Sequence, residues 1–144
     1  MASAFTGIDH VGIAVADLDL AVAAYERLTG SAPAHRQVVA SDGIEAVMFQ
    51  VGDSRIELLG STGPDSKIAG FLARRGGGLH HVAYAVPDVQ ASLDSFAELG
   101  LQLLDTCPRR GAGGRLVAFL HPSAAAGVLT ELCQPDQENT GSRA

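Results

Sequence analysis

The chain has 144 residues, of which 47% are hydrophobic, and its formal net charge is −6. This length suits one ordinary domain with enough apolar residues for a core, and the acidic charge excludes a broad nucleic-acid surface, which would need a basic patch. No run of about 18 apolar residues is present and the N-terminus lacks a signal-peptide pattern, so we expect no membrane partner and a cytoplasmic protein.

An internal repeat organises the sequence. Residues 7–15 and 78–86 match, and His10 and His81 occupy the same place in the two copies, 81 − 10 = 71 residues apart. The ends of the copies also correspond, with Glu57 and Glu131 separated by 131 − 57 = 74 residues. A module of about 70 residues buries only about 60% of its unfolded surface, so we expect each copy to pack against the other or against a second chain.

The first copy, module one, covers residues 5–60 and predicts the order β-α-β-β-β. Its first strand, residues 8–15, is rich in β-branched residues. Asp17 is the expected helix cap and Gly30 the expected helix end. The remaining strands are predicted at 34–39, 44–51 and 55–59. The helix is predicted from apolar residues at three- and four-residue spacing, which are Leu18, Val22, Tyr25 and Leu28.

A connection at residues 61–78 leads into module two, residues 79–134. Pro64 fits the first position of a short connecting helix, and three successive glycines end it. Module two repeats the first order, with Asp88 as the helix cap and a glycine- and arginine-rich loop at 108–114. The polar tail, 135–144, is expected to fray. We therefore predict one α+β domain, residues 1–144; the predicted strands of module two are 79–86, 101–105, 115–120 and 127–133.

The two histidines and the two glutamates are candidate metal ligands. His10 shares a strand face with Gly12 and Ala14, whose small side chains leave room above the imidazole. A carboxylate in an apolar strand costs several kcal/mol unless it is paired or metal-bound. Each residue taken alone is more often structural, but recurrence in two matching pairs favours a divalent ion. Nitrogen and oxygen ligands suit Co, Ni, Zn, Mn or Fe(II) better than Ca or a thiolate-selected ion.

These motifs resemble the methylmalonyl-CoA epimerase family, in the vicinal-oxygen-chelate group that also includes glyoxalase I and extradiol dioxygenases. The resemblance spans residues 5–134 and rests on the strand around His10, the Gly-Leu-His-His block at 78–81 and the segment 121–134. It implies a vicinal-oxygen-chelate fold, with two β-α-β-β-β modules forming cupped mixed sheets around a metal site. It also implies a homodimer and one divalent ion per chain, with Co(II) favoured; the implied ligands are His10, Glu57, His81 and Glu131.

The resemblance implies epimerisation of (2R)- and (2S)-methylmalonyl-CoA, a step of propionate metabolism. The two carbonyl groups acidify the C2 proton, and a Lewis-acid metal would stabilise the enolate. Inversion by 1,1-proton transfer needs an acid–base group on each face of C2. The implied groups are Glu131, which doubles as a ligand, and Glu45, beside Val47 and Phe49 in an apolar setting that would raise its pKa. Glu45 also has a simpler interpretation, as an exposed residue at the start of a strand.

Other functions within this group stay open. A glyoxalase I-like isomerase (lactoylglutathione lyase) would use a similar metal set on a glutathione thiohemiacetal. A non-enzymatic antibiotic-binding protein of the same fold would lack the metal residues, and an extradiol dioxygenase would use three ligands to iron rather than four. His80 is expected to lie on the other face of its strand and not to bind metal. Ser123 stands where relatives often carry lysine after His-Pro, which puts a ligand contact there in doubt.

Overall fold

The structure, a computed structural model, describes residues 5–135. The predicted tail lies outside this part from residue 136 onward. The order β-α-β-β-β occurs twice, as predicted, and a further helix connects the two copies. No helix in the described part is long and apolar enough to cross a membrane. The strands and α-helices are β1 Gly7–Ala14, α1 Leu18–Thr29, β2 His35–Val39, β3 Ile44–Val51, β4 Ser54–Ser61, α2 Ala69–Arg75, β5 Gly78–Ala85, α3 Val89–Glu98, β6 Arg109–Arg110, β7 Leu116–Leu120 and β8 Thr130–Cys133.

Contacts divide the chain into two compact units. The first unit is Asp9–Val82, and the second comprises residues 5–8 and 83–135 of the described part. The units are offset from the predicted modules, because the start of β5 makes its contacts within the first unit. The assignment of residues 1–144 to one domain stays a prediction.

The first unit is built on a mixed sheet with the strand order β2-β3-β4-β1, and the part of β5 in this unit lies next to β1. β1 runs parallel to β4, whereas β3 is antiparallel to both β2 and β4. Helix α1 packs through Val22 onto one face of this sheet, where it meets Val47, Phe49 and Leu58. The functional side chains are therefore to be sought on the opposite face of the sheet, which α1 does not cover.

The ends of α1 agree with the sequence prediction. The Asp17 side chain accepts a hydrogen bond from the Leu20 backbone N–H at 3.1 Å. Gly30 ends the helix at φ 72°, a left-handed conformation that favours glycine. The predicted apolar face is shorter than expected, because Val22 is buried but Leu28 is 75% exposed in the last turn.

The second unit repeats this construction with antiparallel strands in the order β8-β7-β6. Helix α3 begins after Asp88, whose side chain accepts a hydrogen bond from the Ala91 backbone N–H at 3.1 Å. It covers one face of β7 and β8. The core there contains Val86, Val89, Leu93, Phe96, Ala118, Leu120 and Leu132.

Four local predictions are wrong. Residues 101–105 contain only an isolated bridge from Leu103 to Leu120, while β6 forms inside the predicted arginine-rich loop because it pairs with β7. Helix α2 begins at Ala69 rather than Pro64, which lies in a turn closed by the bond from the Ser66 N–H to the Gly63 carbonyl. β8 begins three residues later than predicted. For β6, pairing with a neighbouring strand overrides local propensity.

Candidate metal centre

The strand register of the first unit places His10 and Glu57 on the sheet face opposite α1. In the parallel pair β1–β4, Gly12 is the partner of Glu57 and His10 the partner of Arg55, so these four residues share one face. His81, on β5, reaches the same place. His10, Glu57 and His81 are 3%, 5% and 4% exposed, which confirms that the polar groups are buried.

The polar atoms of these three residues converge on one point. His10 Nε2 and His81 Nε2 are 3.1 Å apart, and they lie 3.6 Å and 3.5 Å from Glu57 Oε1. Two ligand atoms each about 2.1 Å from a metal lie about 3.0 Å apart at a right angle and about 3.4 Å apart at a tetrahedral angle. The three side chains therefore have the spacing of a coordination sphere, and they fit a divalent ion.

Gly12 makes room for this arrangement. A Cβ built at Gly12 would contact the His81 ring, with Nε2 at 2.7 Å and two further ring atoms closer still. Real Cβ atoms essentially never approach other atoms to this distance, so any side chain at this position displaces the imidazole. The expectation from the sequence that small residues leave room above the histidine is confirmed here.

Replacing Gly12 by alanine is therefore expected to push the His81 ring away and to weaken Co(II) binding by at least 10-fold, the lower end of what disturbing ligand orientation typically costs. Isothermal titration with Co(II) measures this. Gly7→Ala, on the same strand and with no atom within 4 Å of the added Cβ, is the matched control. Unchanged Co(II) affinity in Gly12→Ala would show that the ring has space elsewhere.

The Asp9 carboxylate contacts the Nδ1 side of the His10 ring, and the Arg55 guanidinium in turn contacts that carboxylate. His10 Nδ1 lies 2.6 Å from Asp9 Oδ2, and the same oxygen accepts a hydrogen bond from Arg55 Nη2 at 2.6 Å. Burial raises the pKa of Asp9, but the hydrogen bonds from His10 and Arg55 outweigh it and hold the pKa well below its usual range. Asp9 is therefore ionised and faces Nδ1 of His10, while Nε2 of the same ring faces His81 and Glu57. The sequence interpretation did not assign a role to Asp9 or Arg55; the signal was an acidic residue next to the candidate ligand.

Glu57 is also held in its charged form. Burial raises its pKa, but the hydrogen bond with His81 and the charges of His10, His81 and Arg55 together lower it below the usual value. A buried carboxylate surrounded by imidazoles and a guanidinium is a negatively charged oxygen ligand at neutral pH. This state is the one that a divalent cation requires.

His80 takes the place beside His81 that Asp9 takes beside His10, since 80 − 9 = 71. His80 Nδ1 lies 2.9 Å from His81 Nδ1, and its ring packs edge-to-face on Phe71 at 5.0 Å between centroids. Burial, helped by the neighbouring His81, lowers the pKa of His80 to about 4. His80 is therefore neutral at physiological pH, and it contacts the far nitrogen of His81 rather than the point where the ligand atoms converge.

The structure does not bring Glu45 to the histidines. In the antiparallel pair β3–β4, Glu45 is opposite Gly60, whereas Met48 is opposite Glu57. Three residues along a strand reverse the face, so Glu45 lies on the side covered by α1. There its carboxylate accepts a hydrogen bond from Arg36 Nε at 2.7 Å, and Arg36 also reaches Asp19 on α1 at 3.0 Å. The role predicted for Glu45 stays a prediction, and this placement counts against it.

Glu131 lies in the second unit, on β8. It is 5% exposed, and its partner on β7 is Phe119. The neighbours Thr130 and Leu132 pair with Leu120 and Ala118 on the α3 side. Glu131 therefore lies on the face away from α3, just as Glu57 in its own unit lies on the face away from α1.

Comparisons with known proteins agree with this architecture. The sequence model of the glyoxalase/bleomycin resistance protein/dioxygenase superfamily matches residues 9–119. The ethylmalonyl-CoA/methylmalonyl-CoA epimerase of Cereibacter sphaeroides is 39% identical over 88% of this chain and 96% of its own length. The crystal structure of methylmalonyl-CoA epimerase from Mycobacterium tuberculosis superposes with a TM-score of 0.89 at 35% identity, covering 98% of this chain and 95% of the other.

A further solved structure is a methylmalonyl-CoA epimerase in complex with methylmalonyl-CoA and NH4+, with a TM-score of 0.86 at 36% identity over 93% of this chain and 97% of the other. These matches confirm the family and the fold that the repeat and its motifs indicated. The chain is an enzyme of the methylmalonyl-CoA epimerase family, within the glyoxalase/bleomycin resistance protein/dioxygenase superfamily.

Proposed function

We propose that this protein interconverts (2R)- and (2S)-methylmalonyl-CoA with the help of one divalent ion. The observation that carries the proposal is the convergence of His10, Glu57 and His81 at 3.1–3.6 Å in a buried position. The relatives named above act on, or are bound to, this thioester or its ethyl homologue. A buried site with two imidazole nitrogens and an anionic carboxylate oxygen suits a chemistry that develops charge on a carbonyl oxygen.

The proposed ligands are His10, Glu57, His81 and Glu131. Glu131 is included because it is the repeat equivalent of Glu57 and lies on the matching face of its own unit. Nitrogen and carboxylate ligands favour a borderline ion, and Co(II) is our first choice over Ni, Mn, Zn or Fe(II). The bound ion would supply Lewis-acid stabilisation of the negative charge that forms on the thioester oxygen when C2 loses its proton.

The residues of the chain must then move the proton. We propose that Glu131 accepts the C2 proton from one face as a general base and returns a proton there when the reaction runs the other way. Inversion requires a second group on the opposite face. Glu45 is the candidate from sequence, and a water molecule held in the site is the alternative.

The experiment is proton–deuterium exchange at C2 of methylmalonyl-CoA in heavy water, followed by NMR. We expect rapid exchange and epimerisation at C2 with Co(II), and loss of both after chelation and dialysis. The hemithioacetal of glutathione and methylglyoxal serves as the comparison substrate for a glyoxalase I-like activity. Turnover of the hemithioacetal without exchange of methylmalonyl-CoA would contradict the proposed substrate.

Glu45→Gln is expected to leave epimerisation within a few-fold of wild type, because Glu45 lies on the α1 side of the sheet with Arg36. The interpretation from sequence predicts instead a fall of about two to four orders of magnitude, the usual worth of a positioned acid or base. Steady-state rates measured separately with the (2R) and (2S) epimers distinguish between these two predictions. Asp19→Asn, which removes the other carboxylate bound to Arg36, controls for disturbance of that ion pair.

We also propose that the protein is a homodimer, because modules of this size bury too little surface to be independent. Sedimentation equilibrium at micromolar concentration is expected to give about twice the chain mass of 14.8 kDa. A mass close to that of one chain would contradict the proposal.

A further inference from the structure

The two histidines of the candidate centre are supported by different chemical groups. Asp9 and His80 occupy equivalent positions of the repeat, yet His10 Nδ1 lies against a carboxylate and His81 Nδ1 against an imidazole. Asp9 Oδ2 already accepts a hydrogen bond from Arg55, and a hydrogen bond from His10 to the same oxygen requires a proton on Nδ1. An imidazole can donate or accept, so it imposes no such choice on His81.

The carboxylate itself is fixed by a long-range contact. Arg55, which is the register partner of His10 on β4, donates from Nη2 to Asp9 Oδ2 at 2.6 Å. Both groups are mostly buried: the Asp9 side chain is 10% exposed and the Arg55 side chain is 16% exposed. A charge-assisted bond in such surroundings is short and strong, and it holds the acceptor oxygen within reach of the His10 ring.

We propose that Asp9 and Arg55 act together as a positioning pair for His10. The pair keeps a proton on Nδ1 and holds the ring so that Nε2 is the atom directed at the point where Glu57 and His81 converge. The inference rests on the proposed function only in giving that point a metal ion. The contacts of Asp9 and Arg55 exist in the metal-free protein, so the proton on Nδ1 can be tested without a metal.

The test uses metal-free protein labelled with nitrogen-15 in its histidines, at one fixed pH near 7.5. Long-range proton–nitrogen correlation spectra report which His10 nitrogen is protonated. In wild type we expect the Nδ1–H form. In Asp9→Asn we expect a substantial Nε2–H population, because an amide accepts or donates and no longer binds Arg55 as an ion pair. Arg55→Gln is expected to shift the tautomer in the same direction by less.

Co(II) titration of the same proteins gives the second readout. The dissociation constant is expected to rise about 10- to 100-fold in Asp9→Asn, the usual effect of losing a partner of a metal-bound histidine. Asp19→Asn is the matched control, since it removes a carboxylate from a more exposed arginine pair in the same unit. Neither readout should change in that variant.

The outcomes separate this inference from the proposed function. A pure Nδ1–H tautomer in both Asp9→Asn and Arg55→Gln, with Co(II) affinity within two-fold of wild type, overturns the positioning role. Absence of Co(II) binding in wild type contradicts the proposed function, while the tautomer spectra still decide the role of Asp9. If Asp9→Asn does not fold, Arg55→Gln decides alone, because it leaves the carboxylate in place and removes only what anchors it.

Discussion

His81→Ala is expected to lose the bound metal and, with it, the epimerase activity. His81 Nε2 lies within 3.5 Å of both His10 Nε2 and Glu57 Oε1, so its removal takes away the atom that completes the triangle. The loss of Co(II) affinity should exceed the 10- to 100-fold that follows from removing a supporting partner. Dialysis against a low Co(II) concentration followed by elemental analysis measures the occupancy per chain.

The matched control is His35→Ala. His35 lies on β2 of the same unit and is exposed, and its ring forms a local hydrogen bond with Gln37 at 3.0 Å. This variant should keep both metal and activity. Full occupancy in His81→Ala would rule out His81 as a ligand, and an equal loss in both variants would point to nonspecific binding by histidines.

Glu131→Gln is expected to slow epimerisation by about two to four orders of magnitude at saturating Co(II), because an amide cannot accept the C2 proton. Exchange of that proton with solvent should fall by a similar factor for the C2 epimer whose proton faces Glu131. The measurement is the initial rate of deuterium incorporation for each epimer taken separately.

Glu57→Gln gives the comparison that isolates proton transfer from metal binding. Glu57 is the repeat equivalent of Glu131, and we assign it a ligand role only. An amide oxygen can still occupy a ligand position, so Glu57→Gln should weaken Co(II) binding but recover most of its rate when the metal is in excess. If both variants recover to the same extent, Glu131 is a ligand without a role in proton transfer.

Much of the architecture was predictable because its signals are local. The strand–helix boundaries at Asp17 and Asp88 follow from capping chemistry, which involves only four successive residues. Burial of Glu57 was expected from the apolar residues around it. The segment Arg109–Arg110 shows the limit, because its glycine-rich surroundings indicate a loop while pairing with β7 makes it a strand.

Glu45 shows a second limit. Alternation along β3 correctly groups Glu45 with Val47 and Phe49, but it does not say which side of the neighbouring strand that group faces. The β3–β4 register decides this, and a shift of one residue would reverse every side chain. Register depends on contacts between strands that are separated by a turn and on the packing of α1, neither of which is written in the local pattern.

The sequence by itself determined the repeat, with its paired histidines and glutamates, and the family, because the offsets of 71 and 74 residues and the motifs are visible without coordinates. Only the tertiary structure decided how His10 is held. Asp9 and Arg55 are 46 residues apart, and they meet because β1 and β4 run parallel as neighbours. Strand pairing brings distant charges within hydrogen-bond distance, and burial then makes their contact strong enough to orient the imidazole.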